Sequence, residues 1–193
     1  MRVGIYTLGC KVNIYESEYV EELLKNHGYE IVPFTDSADI YIINTCSVTN
    51  DADKKSRKMI HQARKRNDKA IVVVMGCYSQ THADSIDADI IIGSKDKGKI
   101  LSYLSDYLQE KRVIKNLDDV RENVSFEDMT IHHFDNHTRA FVKIQDGCNA
   151  FCSYCIIPYA RGVARSKRYE DVVFEVEQLV SNGYQEIVLT GIH

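Results

Sequence analysis

The sequence predicts an α/β protein whose first part is a doubly wound parallel sheet and whose last part is a single β-α-β unit. Three observations predict this fold class. Short apolar segments of strand length alternate with amphipathic segments of helical period. The strand-like segments are apolar on both faces, as strands buried beneath helices on either side of a sheet must be. The chain has 193 residues, of which 44% are hydrophobic and 27% charged, the usual composition of globular domains.

The first domain is predicted over residues 1–112, from five strands and three helices. The strands are expected at residues 3–8, 29–34, 39–44, 68–75 and 89–93. The helices are expected at residues 16–26, 50–66 and 95–110. Alternation of this kind places helices on both faces of a parallel sheet.

Residues 113–137 are predicted as a linker between two domains. Two basic and six acidic residues lie between Lys115 and His137, and no helical stripe runs through them. The segment contains three histidines, His132, His133 and His137. Because no other ligand lies nearby in sequence, the three histidines are expected to be solvated loop residues rather than metal ligands.

The second domain, residues 138–193, is predicted to begin with a strand at 139–145 and a cysteine-rich loop. A helix at 170–181 and a strand at 186–190 follow. One such unit cannot complete a sheet or a barrel. We therefore expect the chain to be a fragment of a longer protein.

Composition and targeting signals exclude several classes of protein. A net charge of −4 and the ordinary hydrophobic content exclude a disordered chain, a collagen-like fibre and a basic nucleic-acid coat. No apolar run approaches the roughly 18 to 20 residues that span a bilayer, and no signal peptide is expected. The predicted location is the cytoplasm, without membrane contact. Thiols stay reduced there, so the six cysteines are expected to bind metal or act in catalysis.

Three cysteines, Cys148, Cys152 and Cys155, form a C-x3-C-x2-C motif on a loop that follows a predicted strand. Such a loop wraps three thiolates around one face of an iron–sulfur cube and leaves the fourth iron open. An open metal position is a coordination site for substrate or cofactor. Tyr154, directly before the last cysteine, suits a residue that packs on a bound adenine. A zinc knuckle is the alternative, but no fourth Cys or His falls at zinc-ligand spacing.

The other three cysteines, Cys10, Cys46 and Cys77, are far apart in sequence, but each lies just past the carboxyl end of a predicted strand. Ligands bind at that edge in open α/β sheets, and side chains from different strands converge there. Gly9 and Gly76 allow the backbone to approach closely. Three buried core cysteines are the alternative, although core cysteines belong in the middle of strands. The pattern predicts a second site with three cysteine ligands.

Two basic segments indicate a polyanionic partner despite the acidic total. Residues 51–69 carry eight Lys or Arg against three Asp, and residues 159–168 carry four basic residues and no acid. Basic clusters add salt-dependent affinity for phosphates. The candidate nucleic-acid contacts are Lys54, Lys55, Arg57, Lys58, Arg161 and Arg165. A solvated helix face is the alternative for the first segment, whereas the second flanks the cysteine loop and is expected near bound substrate or cofactor.

These motifs resemble those of the radical S-adenosylmethionine methylthiotransferases. The cysteine loop, with Cys-Ile-Ile-Pro-Tyr-Ala-Arg-Gly from residue 155, is similar to that family's cluster loop. Three further segments are similar to motifs of that family's N-terminal cluster domain. They are Thr-Leu-Gly-Cys-Lys-Val-Asn from residue 7, Asn-Thr-Cys-Ser-Val-Thr from residue 44 and Gly-Cys-Tyr-Ser-Gln from residue 76. The Leu-Gly-Cys-Lys-Val-Asn form and the final Leu-Thr-Gly-Ile-His most resemble the branch that acts on threonylcarbamoyladenosine.

The resemblance implies a fold, two clusters and a reaction. The second domain would be the first β-α-β unit of a radical SAM partial (β/α) barrel. Its cysteine loop would hold a 4Fe-4S cluster that binds S-adenosylmethionine, and the other three cysteines would hold an auxiliary 4Fe-4S cluster that carries the inserted sulfur. A radical from S-adenosylmethionine would take hydrogen from C2 of an adenine, and a second S-adenosylmethionine would supply the methyl group. The protein would position these groups and exclude water.

The implied enzyme is a tRNA methylthiotransferase that converts N6-threonylcarbamoyladenosine beside the anticodon to its 2-methylthio derivative. Its implied partners are the anticodon loop of a tRNA, an electron donor and a sulfur donor. Two alternatives within the family act on isopentenyladenosine or on a ribosomal-protein aspartate. The third alternative is a non-enzymatic iron–sulfur or zinc module that binds nucleic acid. Family members continue past the equivalent of residue 193, so little turnover is expected from this chain alone.

Overall fold

The computed structural model describes residues 1–117, 119, 125–132 and 138–192. Within these residues the first sheet has six parallel strands, in the order β2-β1-β3-β4-β5-β6. The strands are β1 (Arg2–Thr7), β2 (Glu30–Val32), β3 (Ile40–Thr45), β4 (Ile71–Gly76), β5 (Ile90–Ile92) and β6 (Ile114–Asn116). The helices of this part are α1 (Lys11–Asn26), α2 (Asn50–Arg66), α3 (Cys77–His82) and α4 (Ile100–Glu110).

Helices cover both faces of the first sheet because its central strands are apolar on both sides. Alternate residues of a strand point to opposite faces. On one face Tyr41 of β3 lies in a buried cluster with Ile60 of α2. On the other face Ile42 lies in a cluster with Leu24 of α1 and Leu104 of α4. The predicted doubly wound α/β fold is confirmed.

Four elements of the first part differ from the sequence expectation. Helix α4 begins at Ile100, five residues after the predicted start at residue 95, because a 3-10 turn occupies Lys97–Lys99. Helix α1 begins at Lys11, five residues before the predicted start at residue 16, and its first turn is largely buried. Helix α3 was not predicted, because six residues are too few to show a helical period. Strand β6 lies inside the predicted linker and pairs with β5, so the first sheet extends past residue 112. Edge strands of three half-exposed residues leave little pattern in a sequence.

The second sheet has the order β8-β7-β9 among the described residues. Its strands are β7 (Ala140–Asp146), β8 (Arg165–Ser166) and β9 (Ile187–Gly191), and its helices are α5 (Ile157–Ala160) and α6 (Tyr169–Ser181). Strand β7 is parallel to β9 and antiparallel to the two-residue β8. The predicted β-loop-α-β unit is therefore present, with the cysteine loop between β7 and α5.

Helix α1 joins the two sheets. Tyr15 of this helix is buried in a cluster with Phe141 of β7 and Leu179 of α6. Met129 and Ile131, which come from the predicted linker, are buried in the same cluster. Hydrophobic contact therefore continues from the first sheet to the second. None of the helices in the described ranges combines the length and apolar character that a membrane span requires.

Candidate functional site

The structure brings Cys10, Cys46 and Cys77 to one edge of the first sheet. They follow β1, β3 and β4, which are adjacent parallel strands and therefore end on the same side. Thr45 and Gly76 are paired across β3 and β4, so Cys46 and Cys77 leave the sheet side by side. Cys10 is the residue before α1. We call these three residues the first cysteine group.

Gly9 lets the chain bring Cys10 close to Cys46. Its φ of +106° lies in the region that favours glycine. A Cβ at this position would stand 3.0 Å from Cβ and 3.1 Å from Sγ of Cys46. The missing side chain therefore leaves room beside the thiol. The side chain of Asn13 fixes this approach, because its Nδ2 donates to the carbonyls of Leu8 at 2.7 Å and Thr45 at 2.9 Å.

The second cysteine group, Cys148, Cys152 and Cys155, lies on the loop between β7 and α5. Cys148 is buried at the base of the loop, where its N–H donates to the Gly162 carbonyl at 2.9 Å. Cys152 is exposed, and its carbonyl accepts from the N–H of Cys155 at 2.9 Å. The N–H of Ala150 points to Sγ of Cys148 at 3.5 Å. The loop thus presents thiols on an open face.

A buried ionic cluster lies between the two cysteine groups. We define it as Glu16 of α1, Lys97, Lys143 and Asp146 of β7, Arg161 after α5, and Arg165 of β8. Glu16 accepts ion pairs from Arg161 and Lys143 at 2.8 Å and from Lys97 at 2.9 Å. Asp146 is paired with Lys143 at 2.8 Å, Arg161 at 3.1 Å and Arg165 at 3.2 Å. Four cations thus share two carboxylates in these contacts.

The charges of the ionic cluster hold its carboxylates ionised. Burial alone would raise the pKa of Glu16, but Arg161, Lys143 and Lys97 outweigh burial and hold that pKa well below its usual range. Arg161 also reaches the first cysteine group, since its Nε donates to Sγ of Cys77 at 3.3 Å. Burial raises the pKa of the Cys77 thiol, and the guanidinium of Arg161 opposes that shift.

The structure corrects two of the predicted nucleic-acid contacts. Arg161 is completely buried and Arg165 is 6% exposed. Both guanidinium groups are directed into the ionic cluster, where their carboxylate partners replace water. They are therefore not available to phosphates of a nucleic acid. A run of arginines without nearby acids in sequence does not reveal acids that the fold supplies from other elements.

The remaining predicted contacts lie on the surface. Lys54, Lys55, Arg57 and Lys58 are exposed on α2. Arg57 also donates to the hydroxyl of Tyr78, the residue after Cys77, at 3.3 Å. Tyr154 is 89% exposed, so one face of its ring is free to receive a flat ligand.

The three predicted loop histidines are only partly described. His132 is exposed and pairs through Nδ1 with Glu22 of α1 at 2.7 Å. His133 and His137 lie outside the described residues. In the ranges that the structure covers, no three Cys, His, Asp or Glu side chains surround a point suited to one metal ion. In a 4Fe-4S cube each thiolate binds a different iron, so its ligands stand farther apart than those of a single ion.

The two cysteine groups fit iron–sulfur clusters in four respects. Gly9 leaves space at the thiol of Cys46 that a side chain would fill. Donors face two of the sulfurs, from the N–H of Ala150 and from Arg161. The positive excess of the ionic cluster suits thiolates, because metal-bound cysteines are deprotonated. Cys10 and Cys152 are exposed, so each group is open on one side.

Sequence reasoning missed the members of the ionic cluster other than its arginines. Glu16 stands on the buried side of α1, and Lys143 follows three apolar residues in β7. The signal that could have marked them is a charged residue at a position where the helix or strand periodicity predicts an apolar one. Glu16 is 127 positions from Lys143 and 145 from Arg161, so these pairings leave no trace in local pattern.

Comparisons with known proteins match both parts of the chain. The model described as "Uncharacterized protein family UPF0004" matches residues 2–93, and the Radical SAM superfamily model matches residues 142–193. The threonylcarbamoyladenosine tRNA methylthiotransferase MtaB of Bacillus subtilis is 46% identical over 99% of this chain and 43% of its own length. The MtaB protein of Aquifex aeolicus is 41% identical over 99% of this chain and 48% of its own length.

A relative with a different named substrate also matches. The tRNA-2-methylthio-N(6)-dimethylallyladenosine synthase of Clostridium perfringens is 38% identical, over 97% of this chain and 44% of its own length. Among solved structures, the radical S-adenosylmethionine methyltransferase TsrM of Kitasatospora setae has the same fold at a TM-score of 0.61 and 17% identity. That likeness covers 98% of this chain and 47% of TsrM. The chain spans less than half the length of each of these three curated relatives, and over that span it is similar to proteins named as tRNA methylthiotransferases or methylthioadenosine synthases.

Proposed function

We propose that this chain is part of a tRNA methylthiotransferase with two iron–sulfur clusters, one on each cysteine group. The observation that supports the proposal is the pair of open cysteine groups, joined by a buried ionic cluster whose Arg161 touches Cys77. One group follows three strands of the first sheet and the other follows β7. Two separate sets of thiols on facing elements suit a reaction that uses one cluster to generate a radical and the other to supply sulfur.

The cofactors of this family are S-adenosylmethionine and 4Fe-4S clusters, and when bound they supply the reductive cleavage of a sulfonium and the transfer of sulfur to carbon. The residues of this chain would hold and surround them. Cys148, Cys152 and Cys155 would be ligands of one cluster, and the first cysteine group would be ligands of the other. Tyr154 would present its ring to the adenine of S-adenosylmethionine, as its exposure allows.

The proposed substrate is N6-threonylcarbamoyladenosine beside the anticodon of a tRNA. Two relatives named for this substrate are 46% and 41% identical to the chain, above the 38% of the relative named for dimethylallyladenosine, and three more named for threonylcarbamoyladenosine are 34–37% identical. Dimethylallyladenosine is therefore the second candidate. Radical generation consumes an electron and methylthiolation consumes sulfur, so the proposal includes an electron donor and a sulfur donor. The proposed location is the cytoplasm.

The exposed basic residues of α2 are the proposed contact to tRNA. Lys54, Lys55, Arg57 and Lys58 lie on the helix that follows Cys46, so they border the first cysteine group. Side chains of this type neutralise phosphates and give binding that weakens with salt. They carry no base specificity, which would come from the pocket that receives the adenine.

Iron and zinc counting on the anaerobically reconstituted full chain tests the cluster assignment. We expect about eight irons per chain, and about four after replacing either cysteine group by alanine. Replacing one group should leave the absorption of the other cluster. Zinc without iron would contradict the proposal, and four irons in the unaltered chain would limit it to one cluster. The substrate is tested by nucleoside mass spectrometry of tRNA from cells that lack the gene, where the 2-methylthio derivative of threonylcarbamoyladenosine should disappear.

A further inference from the structure

Arg161 is the one residue of the ionic cluster, among the contacts described, whose side chain touches a sulfur atom. Its Nε lies 3.3 Å from Sγ of Cys77. One terminal nitrogen donates to Oδ1 of Asn13 at 2.6 Å, and the other donates to Glu16 at 2.8 Å and to Asp146 at 3.1 Å. All of this takes place without solvent, because the residue is completely buried. Each nitrogen of the guanidinium is therefore committed to a fixed partner.

The backbone of Arg161 lies next to the loop that carries the second cysteine group. Its N–H donates to the Ile157 carbonyl at 2.8 Å and so closes α5. The next residue, Gly162, accepts the N–H of Cys148 at 2.9 Å. Two consecutive residues thus contact one cysteine of each group, Cys148 through the backbone and Cys77 through a side chain. The position of the guanidinium beside Cys77 depends on the fold of the second loop.

We propose that Arg161 is a positioning residue for the cluster on the first cysteine group, where its hydrogen bond to the sulfur of Cys77 raises the reduction potential. The inference rests on the proposed function, because it takes Cys77 as a cluster ligand. A cation that donates to a bound thiolate favours the more negative, reduced form of the cluster. Its effect is large in a site without water, since little dielectric screening remains.

A purely structural role for Arg161 would require only its ion pairs. Glu16 and Asp146 also receive Lys143, so the carboxylates keep a cation if the arginine is replaced by lysine. A lysine has one ammonium group on a flexible stem and cannot reproduce the rigid set of donors that reaches Asn13, Glu16 and the sulfur together. Lysine at this position therefore separates the charge of the residue from its contact with Cys77.

The test measures the potential of the first cluster alone. The full chain with Cys148, Cys152 and Cys155 replaced by alanine keeps the backbone contact to Gly162 and holds only the first cluster. In this parent, Arg161→Gln, Arg161→Lys and Arg165→Gln are compared by iron content, circular dichroism and a redox titration followed by electron paramagnetic resonance. Arg165→Gln is the control for loss of a buried charge, because Arg165 pairs with the same Asp146, donates to the Arg161 carbonyl at 2.8 Å and touches no sulfur in the contacts described.

We expect Arg161→Gln to lower the equilibrium constant for one-electron reduction about tenfold, which is a shift of ~59 mV. Arg161→Lys is expected to lower it about threefold, and Arg165→Gln to leave it within twofold of the parent. Potentials of both Arg161 variants within twofold of the parent would overturn the inference, and so would an equal shift in Arg165→Gln. If Arg161→Gln does not fold, Arg161→Lys decides by the same criterion. A parent that takes up no iron refutes the proposed function itself, whereas iron with an unmoved potential refutes only this inference.

Discussion

At the scale of single residues, Gly9 shows how a backbone position prepares a site. Two features restrict substitution at this position: the positive φ of the backbone and the short distance to Cys46. A second glycine has the first feature without the second. Gly28, at the end of α1, has a φ of +80° but nothing within 4 Å of its would-be Cβ. The pair therefore isolates the part of the Gly9 constraint that concerns the thiol.

We expect Gly9→Ala and Gly28→Ala each to lower the free energy of unfolding by about 1 kcal/mol, because alanine is strained at positive φ. Gly9→Ala is expected in addition to lower iron uptake at the first cysteine group, since the new methyl group displaces the thiol of Cys46. Iron content after reconstitution and chemical denaturation measure the two effects. Equal iron in both variants would show that the space beside Cys46 does not matter for the cluster.

Glu16 is the acid on which the ionic cluster depends. We expect Glu16→Gln to lower the free energy of unfolding by about 3–5 kcal/mol, because three buried cations would lose their shared partner. Glu21→Gln on the same helix removes only an i,i+4 pair with Lys25 and is expected to cost less than about 0.5 kcal/mol. Urea denaturation of the two variants checks the difference. Similar costs would mean that the buried ion pairs contribute no more than a surface pair.

Local pattern predicted the placement of the cysteines but not the role of Arg161. Cys46 and Cys77 follow strands with continuous apolar runs, so their place at the sheet edge could be inferred from neighbours in sequence. Arg161 stands in a basic segment and was predicted to meet phosphates. Its partner Glu16 comes from 145 positions earlier, and only the packing of α1 on β7 brings the two together.

At the scale of elements, α2 and β6 show what decides whether a pattern is readable. Helix α2 was predicted at residues 50–66 and is observed at Asn50–Arg66. The hydroxyl of Thr49 accepts from the N–H of Ala52 at 3.1 Å, which is the N-cap arrangement that marks a helix start. Strand β6 has no such boundary signal and gains its stability from pairing with β5, a contact that sequence alone does not specify.

Asp89, directly before β5, ties elements on both faces of the first sheet together. Its carboxylate accepts from the Val72 N–H at 2.8 Å, from Arg64 of α2 at 2.9 Å and from the Tyr107 hydroxyl of α4 at 2.8 Å. Burial would raise the pKa of Asp89, but these hydrogen bonds lower it below its usual value. A carboxyl with a depressed pKa stabilises the fold above its unfolded pKa of about 3.9 and loses that effect as pH falls through the folded value.

We expect Asp89→Asn to lower the free energy of unfolding by about 1–3 kcal/mol at pH 7, because an amide cannot accept at both of its terminal atoms. The difference from the unaltered chain should shrink as pH falls below about 4. Urea denaturation between pH 7 and pH 3 measures it. Asp87→Asn is the control, since Asp87 is 91% exposed and lies 4.0 Å from the same arginine, and we expect no change. A difference that stays constant with pH would contradict the ionic part of the argument.

The basic face of α2 should show the salt dependence of a phosphate contact. We expect Lys55→Glu with Lys58→Glu to weaken binding of an anticodon stem-loop RNA at least tenfold at low salt and to reduce the slope of log K against log salt by about 1.4–1.8. Lys99→Glu with Lys111→Glu changes the net charge equally on exposed residues of another helix region and should have little effect. Fluorescence anisotropy across a salt series measures both. Equal losses in the two variants would indicate a response to net charge rather than a contact on α2.

At the scale of the whole molecule, the two sheets are joined by α1 rather than by a flexible connection. Val20 and Leu24 of this helix are buried against the first sheet, and Tyr15 is buried against the second. The hydroxyl of Tyr15 donates to the Met129 carbonyl and, at 2.8 Å, to Glu175 of α6. Burial and the neighbouring Glu175 raise the pKa of Tyr15, so the hydroxyl stays a donor at all ordinary pH values. We therefore expect the described parts to unfold as one cooperative unit.

Native-state hydrogen exchange tests that coupling, because amides of one cooperative unit share one opening free energy. In the unaltered chain, the slowest amides of β3 and β7 should give the same free energy of opening. Phe34→Ala, which removes a ring from the core of the first sheet, should lower both values together. Tyr15→Ala removes the side chain that joins the sheets and should lower the value for β7 below that for β3, by part of the roughly 3–5 kcal/mol typical of a buried aromatic truncation. If Phe34→Ala lowered only β3, the two sheets would unfold independently, and the contact between Arg161 and Cys77 would have to be maintained by local structure alone.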